Sequence, residues 1–467
     1  MQFLRTHYLY LVLPVLAFAI ARLAFGIDGL YGQDSYEYLR FTKAIYAGFK
    51  SGNLPSNFFW PVGYPLVSSI FMFTGIPAEL SLQLVSLFSL IGVLFYLHYI
   101  LLPFANNVHV LKYYLIACVL FSPLVFRSAI VCMSDMLCVF FVVGHIHYSL
   151  RYLKELKAQH LLGAVVFAVG AVFTRYGSAV IVAATSVMVA VHFFRNFKMT
   201  HLLLALLGFA TALVPHFMFT NNGVFHFTGH QWLTDWNIGN LFKSNFVTND
   251  GQMQFQWPNI VFYILEVFHP RFFVALVPIL LFAILKKKKV LYSYLLIPIV
   301  IYLIFLSGIK FQNTRFVLPL IPYFAIVLFP VYEELVVTLP YKKILAIIFV
   351  AGNLFLTFLG FSCLYSRMRL ESAIVSTLNE KYPKRQVYSF DMEVALKGRS
   401  YNGDVHSLFD SVYVKFDNQT LILFNVDKIE KQWTGRAPMQ NWNNLQTRYS
   451  LEQIETFEEG WRLYEVK

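Results

Sequence analysis

The sequence predicts a polytopic α-helical membrane protein that ends in a small soluble α/β domain. Of its 467 residues, 58% are hydrophobic and only 13% are charged, whereas soluble domains carry about a quarter of charged residues. Eleven apolar segments approach the roughly 20 residues that a helix needs to cross a bilayer. The stretch from Arg367 onward differs, since it carries 14 basic and 14 acidic residues. This stretch is therefore predicted to lie outside the membrane.

The apolar segments and the basic segments between them predict one orientation in the membrane. The predicted spans are 8–26, 80–102, 111–130, 135–150, 160–174, 178–194, 202–220, 262–285, 290–308, 316–335 and 343–363. Basic segments are expected on the cytoplasmic side, and they occur at 151–157, 195–198, 286–289 and 342–343. All four are cytoplasmic together if the N-terminus is cytoplasmic and the short apolar segment 61–75 lies at the surface or re-enters. Counting 61–75 as a span places residues 286–289 outside, unless another span is dropped.

This topology divides the chain into two units. Residues 1–365 form a transmembrane module with a first outer loop at 27–79 and a long outer loop at 221–259. Residues 366–467 form a soluble extracytoplasmic domain, with a helix at 369–382 and short strands at 386–390, 420–424, 451–457 and 461–466. The net charge of +12 belongs to the membrane loops, so we expect membrane lipids as partners and no nucleic acid.

Two carboxylates in the first outer loop mark the first candidate for chemistry. Asp34 and Glu37 lie three residues apart, and on a helix they share a face with Tyr38 and Phe41. The alternative is a capping box, in which Asp34 is the N-cap and Glu37 the third helical residue. The spacing alone leaves both interpretations open.

Three further charged residues fall on the same outer side, although the orientation rule did not use them. They are Asp135, Arg175 and Arg315. Asp135 could instead cap the helix that it begins, and the arginines could be interfacial anchors. Their common side makes a shared site with Asp34 the more specific hypothesis.

Several motifs around these residues resemble the membrane glycosyltransferases of the GT-C superfamily. The resemblance is to the branch of protein O-mannosyltransferases and aminoarabinose transferases, and it covers roughly residues 1 to 330. The matching segments occur in the expected order: 34–48, WPVGYPL at 60–66, SP at 122–123 through SD at 134–135, FTRYG at 173–177, and TRFVLP at 314–319 with Pro322. The chain departs from the family at Ser35, where the O-mannosyltransferases carry Glu, and at Trp60, where the aminoarabinose enzymes carry Lys.

The resemblance implies a polyprenyl-phosphate sugar donor and an acceptor nucleophile. Asp34 is then expected to be the catalytic base of an inverting transfer. Arg315 and Arg175, with Arg271 behind them, are expected to bind the anionic phosphate. Asp135 is expected to bind sugar hydroxyls, to orient an arginine, or to hold a metal with Asp34.

Other residues are predicted to bind substrate with less specific support. Tyr64 belongs to the second motif, and Glu37 is expected to support Asp34 rather than act as the base. Glu266, His269 and Arg271 form a charged trio near the end of a predicted span, which favours a functional site. Placement of this trio in the lipid headgroup zone is an equally good interpretation.

The sequence favours catalysis without a cofactor. A divalent metal on Asp34 and Asp135 is possible but not favoured, because no spaced ligand motif accompanies them. His226 and His230 are four residues apart, yet the intervening Thr228-Gly229 argues against the helix that chelation needs. The acceptor is left open as a glycan, a lipid or a protein, so a polysaccharide polymerase or ligase keeps the same chemistry.

The alternative function is a transporter or flippase of a lipid-linked or polar substrate. Such a protein is expected to have repeated halves and charged residues near the bilayer midplane. This chain shows no repeat and gathers its acids at one face. The predicted location is a bacterial inner membrane, with the active site and the C-terminal domain extracytoplasmic.

Overall fold

Helices form most of the protein. The computed structural model describes residues 2–56, 58–219, 231–273, 275–340 and 342–467. Its α-helices are α1 Gln2–Ala19, α2 Gly32–Ser51, α3 Gly63–Met72, α4 Ala78–Leu101, α5 Val108–Tyr114, α6 Pro123–Ile130, α7 Asp135–Glu155, α8 Ala158–Thr174, α9 Ser178–Arg195, α10 Met199–Phe219, α11 Gln231–Thr234, α12 Asn259–Phe268, α13 Leu276–Leu285, α14 Leu296–Gly308, α15 Ile321–Thr338, α16 Lys342–Lys381, α17 Glu393–Gly398, α18 Val426–Trp433 and α19 Ala437–Arg448. Short 3₁₀ helices include Ile238–Phe242, Ser293–Leu295 and Thr314–Leu320.

All eleven predicted spans are helical, but they differ in length. Within the described ranges, seven helices are long and apolar enough to cross a membrane: His7–Ala24, Ala78–Phe104, Asp135–Glu155, Ser178–Arg195, Met199–Phe219, Thr314–Thr338 and Ile347–Lys381. The predicted span 111–130 is a pair, Val108–Leu120 and Pro123–Ile130, bent by 67°. The segments at 160–174 and 290–308 are shorter apolar helices. The predicted count of about eleven therefore becomes seven long helices, one bent pair and several shorter helices.

One predicted span is wrong in its continuity, because residues 262–285 form two helices, α12 and α13. Pro270 lies between them, and a proline cannot continue the hydrogen-bonded ladder of a helix. Just after Pro270, the carbonyl of Arg271 accepts hydrogen bonds from the backbone N–H of Leu124 at 3.0 Å and from the Ser122 hydroxyl at 3.1 Å. The break after α12 thus stabilises the bend before α6.

The first outer loop contains two helices and no full span. Residues 61–75, predicted not to cross the membrane, contain α3, whose ten residues extend only about 15 Å. Helix α2 packs against α3, and the Phe41 ring stacks on that of Phe58 at 4.0 Å. This packing fixes α2 beside the bundle.

The C-terminal region is a five-stranded mixed sheet with helices. Its strands are β3 Val387–Ser389, β4 Val405–Ser407, β5 Leu421–Phe424, β6 Leu451–Thr456 and β7 Arg462–Val466, in the order β4-β3-β5-β7-β6. Strand β3 is parallel to β4 and β5, whereas β7 is antiparallel to β5 and β6. The predicted strands are all present. Strand β4 and a hairpin of β1 Asn245–Thr248 and β2 Gly251–Gln254 were not predicted.

Buried ionic contacts join the C-terminal region to the first outer loop. Arg399 reaches Asp28 at 2.6 Å and Glu371 at 3.1 Å. Tyr36, on α2, donates a hydrogen bond to Glu371, whose side chain is fully buried. Helix α16 also runs through the predicted domain boundary at 365/366 without a break. The C-terminal region is therefore held directly on the helix that carries Asp34.

Candidate active site

Four helix ends bring the charged residues predicted on the outer side together. Asp34 lies in the first turn of α2, and Asp135 is the first residue of α7. Arg175 follows the last residue of α8, and Arg315 lies in the 3₁₀ helix Thr314–Leu320. Backbone N–H and C=O groups are already unpaired at helix ends. Polar side chains can therefore meet there without interrupting the apolar faces of the bundle.

The four residues form two adjoining ion pairs. Arg315 pairs with Asp34, and Arg175 pairs with Asp135. Arg315 Nη1 also lies 4.0 Å from Asp135 Oδ2, which connects the two pairs. The Phe316 ring lies below both guanidinium groups, 4.8 Å from that of Arg175 and 5.8 Å from that of Arg315. The site is thus a compact cluster of two carboxylates and two guanidinium groups beside the Phe316 ring.

The two pairs differ in exposure. The Asp135 side chain is 3% exposed and that of Arg175 is 10%, whereas Asp34 and Arg315 are 22% and 23% exposed. Arg315 Nε is buried and has no hydrogen-bond partner among the described residues. The Arg315–Asp34 pair is therefore the part of the cluster that a substrate can reach.

The capping-box interpretation of Asp34 is wrong. Helix α2 begins at Gly32, and its N-cap is Tyr31, whose side chain makes no capping hydrogen bond. The Ser35 hydroxyl accepts a hydrogen bond from the Tyr31 N–H at 2.7 Å instead. Glu37 forms an ion pair with Arg40 at 2.7 Å and not a reciprocal cap. The Asp34 side chain therefore does not cap α2.

Two cavities meet at the cluster. The larger one has a volume of about 770 Å³ and the smaller one of about 240 Å³. Asp34, Asp135 and Arg315 line both of them. A group that enters from either cavity therefore reaches the same carboxylates and the same guanidinium.

The walls of the cavities contain residues that sequence analysis missed. Arg127 lines the smaller cavity, with its guanidinium 5.0 Å from the centre of the Tyr31 ring. The sequence could have indicated Arg127, because a charged residue within a predicted span favours a functional role. Asp391, Glu393 and Lys428 line the larger cavity from the C-terminal region. No local pattern distinguishes them from ordinary surface residues.

Other predicted site residues line neither cavity. The Tyr64 side chain is fully buried and donates a hydrogen bond to the carbonyl of Leu82 at 2.8 Å, so it joins α3 to α4. Glu266, His269 and Arg271 do contact one another, with 3.5 Å between Arg271 and Glu266 and 3.3 Å between Arg271 Nε and His269 Nδ1. This trio forms a separate group away from the four central residues.

The described part of the chain contains no group of three or more His, Cys, Asp or Glu side chains that could hold a metal ion. The two central carboxylates are each paired with an arginine. His226 and His230 lie outside the described residues.

Burial of Glu393 predicts a pH-dependent stability. Desolvation raises the pKa of this carboxyl to about 7, from a usual 4.5. The folded state binds the proton of this carboxyl more tightly than the unfolded state does. This contribution to stability is complete below about pH 4.5 and is lost as the pH rises through 7. The variant Glu393→Gln should therefore be more stable than the unmodified protein at pH 8.5, by up to about 3 kcal/mol, and nearly equal at pH 5.

Thermal unfolding at the two pH values measures this difference. Glu430→Gln is the matched control, because Glu430 is exposed on α18 and lines neither cavity. An equal stability difference at pH 5 and pH 8.5 would show that Glu393 does not titrate in this range.

Comparisons with known proteins find a matching family model and solved structures with a similar fold. The sequence model of the Alg9-like mannosyltransferase family matches residues 35–394. The fold is similar to that of ArnT from Cupriavidus metallidurans bound to undecaprenyl phosphate, with a TM-score of 0.61, 12% identity and coverage of 98% of this chain and 97% of that one. The apo form of ArnT gives a TM-score of 0.56 at 13% identity, with coverage of 96% and 97%. No curated protein matches the sequence.

These matches decide between the functions that the sequence left open. The structural likeness confirms the predicted GT-C membrane fold, since ArnT is an aminoarabinose transferase of that superfamily. The family match covers more than half of the chain, and it favours an enzyme over a transporter or flippase. The chain therefore belongs to the Alg9-like mannosyltransferase family and is a membrane glycosyltransferase.

Proposed function

We propose that the protein transfers a sugar from a polyprenyl-phosphate donor to an acceptor on the extracytoplasmic face of the membrane, with Asp34 as the base. The observation that carries this proposal is the accessible Arg315–Asp34 pair at the junction of two cavities. A transferase needs such a junction, because donor and acceptor must approach one base and one anion-binding group from different directions.

The smaller cavity fits the donor phosphate. Leu124 and Val131 give it an apolar side, while Arg127 and Arg315 supply positive charge. A polyprenyl phosphate has the same combination of apolar chain and anionic head, and arginine binds phosphate through parallel hydrogen bonds. The related fold of ArnT was solved with undecaprenyl phosphate bound, which supports a lipid phosphate as donor.

The exposure of the two acids favours Asp34 over Asp135 as the base. A base must reach the acceptor proton within hydrogen-bond distance. Both acids line both cavities, but the Asp34 side chain is 22% exposed and that of Asp135 only 3%. Asp135 is nearly buried and pairs with Arg175. We assign it a positioning role, in which it holds Arg175 and, through it, the shape of the cluster.

The proposed reaction is a single displacement. The acceptor oxygen attacks the anomeric carbon of the donor while the bond from that carbon to the phosphate oxygen breaks, and the bonding electrons leave with the phosphate. Asp34 takes the proton of the acceptor hydroxyl. The charge on the departing phosphate is neutralised by Arg315, whose pairing with Asp34 gives way to the phosphate on donor binding. The configuration at the anomeric carbon is inverted.

The geometry of α7 supports the extracytoplasmic orientation. Asp135 begins this helix, and Arg151 and Lys154 lie in its last turns. The helix has 21 residues and is about 30 Å long, which matches the hydrocarbon thickness of a bilayer. Basic residues favour the cytoplasmic side, which supports placing the opposite end and the Asp34 cluster on the outer side of the membrane.

The test is release of polyprenyl phosphate from a labelled polyprenyl-phosphate sugar, with the label recovered in an acceptor. Transfer should survive exhaustive chelation, because Arg127 and Arg315, and not a metal, are proposed to neutralise the phosphate. Asp135→Asn should reduce transfer less than Asp34→Asn. Loss of transfer on chelation, with recovery on addition of Mg²⁺ or Mn²⁺, would instead make Asp34 and Asp135 metal ligands.

A further inference from the structure

The C-terminal region forms one wall of the larger cavity. Phe390 and Asp391 directly follow β3, and α18 follows β5. These two strands are parallel, so the cavity lies beyond their carboxyl ends. Open sheets of this kind commonly bind ligands at that edge. The edge of the sheet at which such folds commonly bind ligands therefore faces the cavity that Asp34 also lines.

This wall combines aromatic rings with groups that bind hydroxyls. The Trp433 ring contacts that of Phe390 edge-on at 4.7 Å, and Phe409 lies 5.7 Å from Trp433. Beside these rings, Lys428 Nζ lies 2.7 Å from Asp391 Oδ2, with both side chains more than a third exposed. All five residues line the cavity, together with Glu393.

Glu393 contains an unsatisfied acceptor. The residue is only 8% exposed. The Ser407 hydroxyl donates to its Oε1 at 3.3 Å, whereas Oε2 is buried and has no partner among the described residues. Leaving a buried polar atom unpaired is costly, so this oxygen is suited to accept a hydrogen bond from a ligand.

The β1–β2 hairpin closes the cavity on another side. Gln432 Nε2 donates to the Asp250 carbonyl at 2.6 Å, and Arg436 donates to the Thr248 carbonyl at 3.2 Å. Gly251 has a φ of +91°, and a Cβ there would lie 2.3 Å from the Gln432 carbonyl oxygen. The hairpin turn is thus packed closely on α18, and its residues Asn249, Asp250 and Met253 form another side of the cavity.

We propose that this wall is an acceptor subsite for a sugar ring, bound by Glu393, Asp391 and Lys428 beside the Phe390 and Trp433 rings. The inference rests on the proposed function, because it takes the smaller cavity for the donor and leaves the larger one for the acceptor. Carboxylates and an ammonium group pair with sugar hydroxyls, and aromatic rings cover the apolar face of a sugar. A lipid chain or an apolar peptide would cover the Lys428–Asp391 pair and leave Glu393 Oε2 without a hydrogen bond.

Binding of methyl α-mannopyranoside to the full-length protein in nanodiscs tests the subsite. Saturation-transfer NMR detects such weak ligands directly and requires no catalysis. Glu393→Ala and Asp391→Asn should each weaken binding about tenfold or more, as for one lost hydrogen bond to a charged group. Asparagine is chosen at position 391 because the φ of +74° there suits it. Glu430→Ala, at an exposed position on α18 outside the cavity, should bind normally.

The outcomes separate this inference from the proposed function. Asp34→Asn is assayed for sugar transfer, and Glu393→Ala for mannoside binding. If Asp34→Asn still transfers sugar while Glu393→Ala loses mannoside binding, the subsite stands and the assignment of the base fails. Absence of binding to the unmodified protein, or equal binding in Glu393→Ala, Asp391→Asn and Glu430→Ala, would overturn the subsite. Unfolding temperatures identify any variant that fails to fold.

Discussion

Replacing Asp34 with asparagine is expected to reduce sugar transfer by about 10² to 10⁴-fold, the usual contribution of a positioned general base. Asparagine keeps the size of the side chain but cannot take up the acceptor proton. The fold should persist, because Asp34 is not the cap of α2 and its amide can still accept a hydrogen bond from Arg315.

Glu37→Gln is the matched control for this substitution. Glu37 lies one turn further along α2, pairs with Arg40 and lines neither cavity, so its loss should leave transfer nearly unchanged. Initial rates of polyprenyl phosphate release compare the variants at equal folded protein. Near-normal rates in Asp34→Asn would remove the base assignment.

Arg315→Ala should raise the donor concentration needed for half-maximal transfer by about 10- to 100-fold. This is the range expected when a charge-assisted hydrogen bond to an anion is lost. The loss should affect the donor more than the acceptor, because the donor carries the anionic phosphate that the guanidinium is proposed to bind, and Arg315 lines the smaller cavity as well as the larger one. Turnover should also fall, since the leaving phosphate loses a neutralising charge.

Two further substitutions separate the charge from its geometry. Arg315→Lys keeps a positive charge but not the planar fork of donors, so it should recover only part of the donor affinity. Arg271→Ala removes an arginine that lines neither cavity and should leave donor affinity unchanged. Unchanged donor affinity and turnover in Arg315→Ala would make this residue an interfacial anchor.

The membrane fold and the members of the central cluster could be predicted from the sequence. Apolar length and basic loops are local quantities, because a bilayer imposes the same requirement on every span. Those rules alone predicted one side of the membrane for Asp34, Asp135, Arg175 and Arg315. The structure places these four residues in contact. The predicted strands of the C-terminal region are likewise present, since their alternating and buried patterns are local.

Breaks in the helices depended on partners elsewhere in the chain. The bend at Ser122-Pro123 and the interruption at Pro270 are each visible as a proline. Their stability, however, comes from hydrogen bonds between the two segments. Sequence alone therefore predicted one span where the structure has two helices, because a proline does not reveal which groups will donate hydrogen bonds to the carbonyls near the break.

The sequence by itself determined that this is a polytopic membrane protein with a charged cluster on one face. Only the tertiary structure decided which acid pairs with which arginine, and that Tyr64 is a packing residue while Arg127 lines a cavity. It also placed Glu393 and Lys428 opposite Asp34, although hundreds of residues separate them along the chain. The physical reason is that hydropathy and charge rules fix depth and side in the membrane, whereas contacts between distant segments follow from close packing of the whole chain.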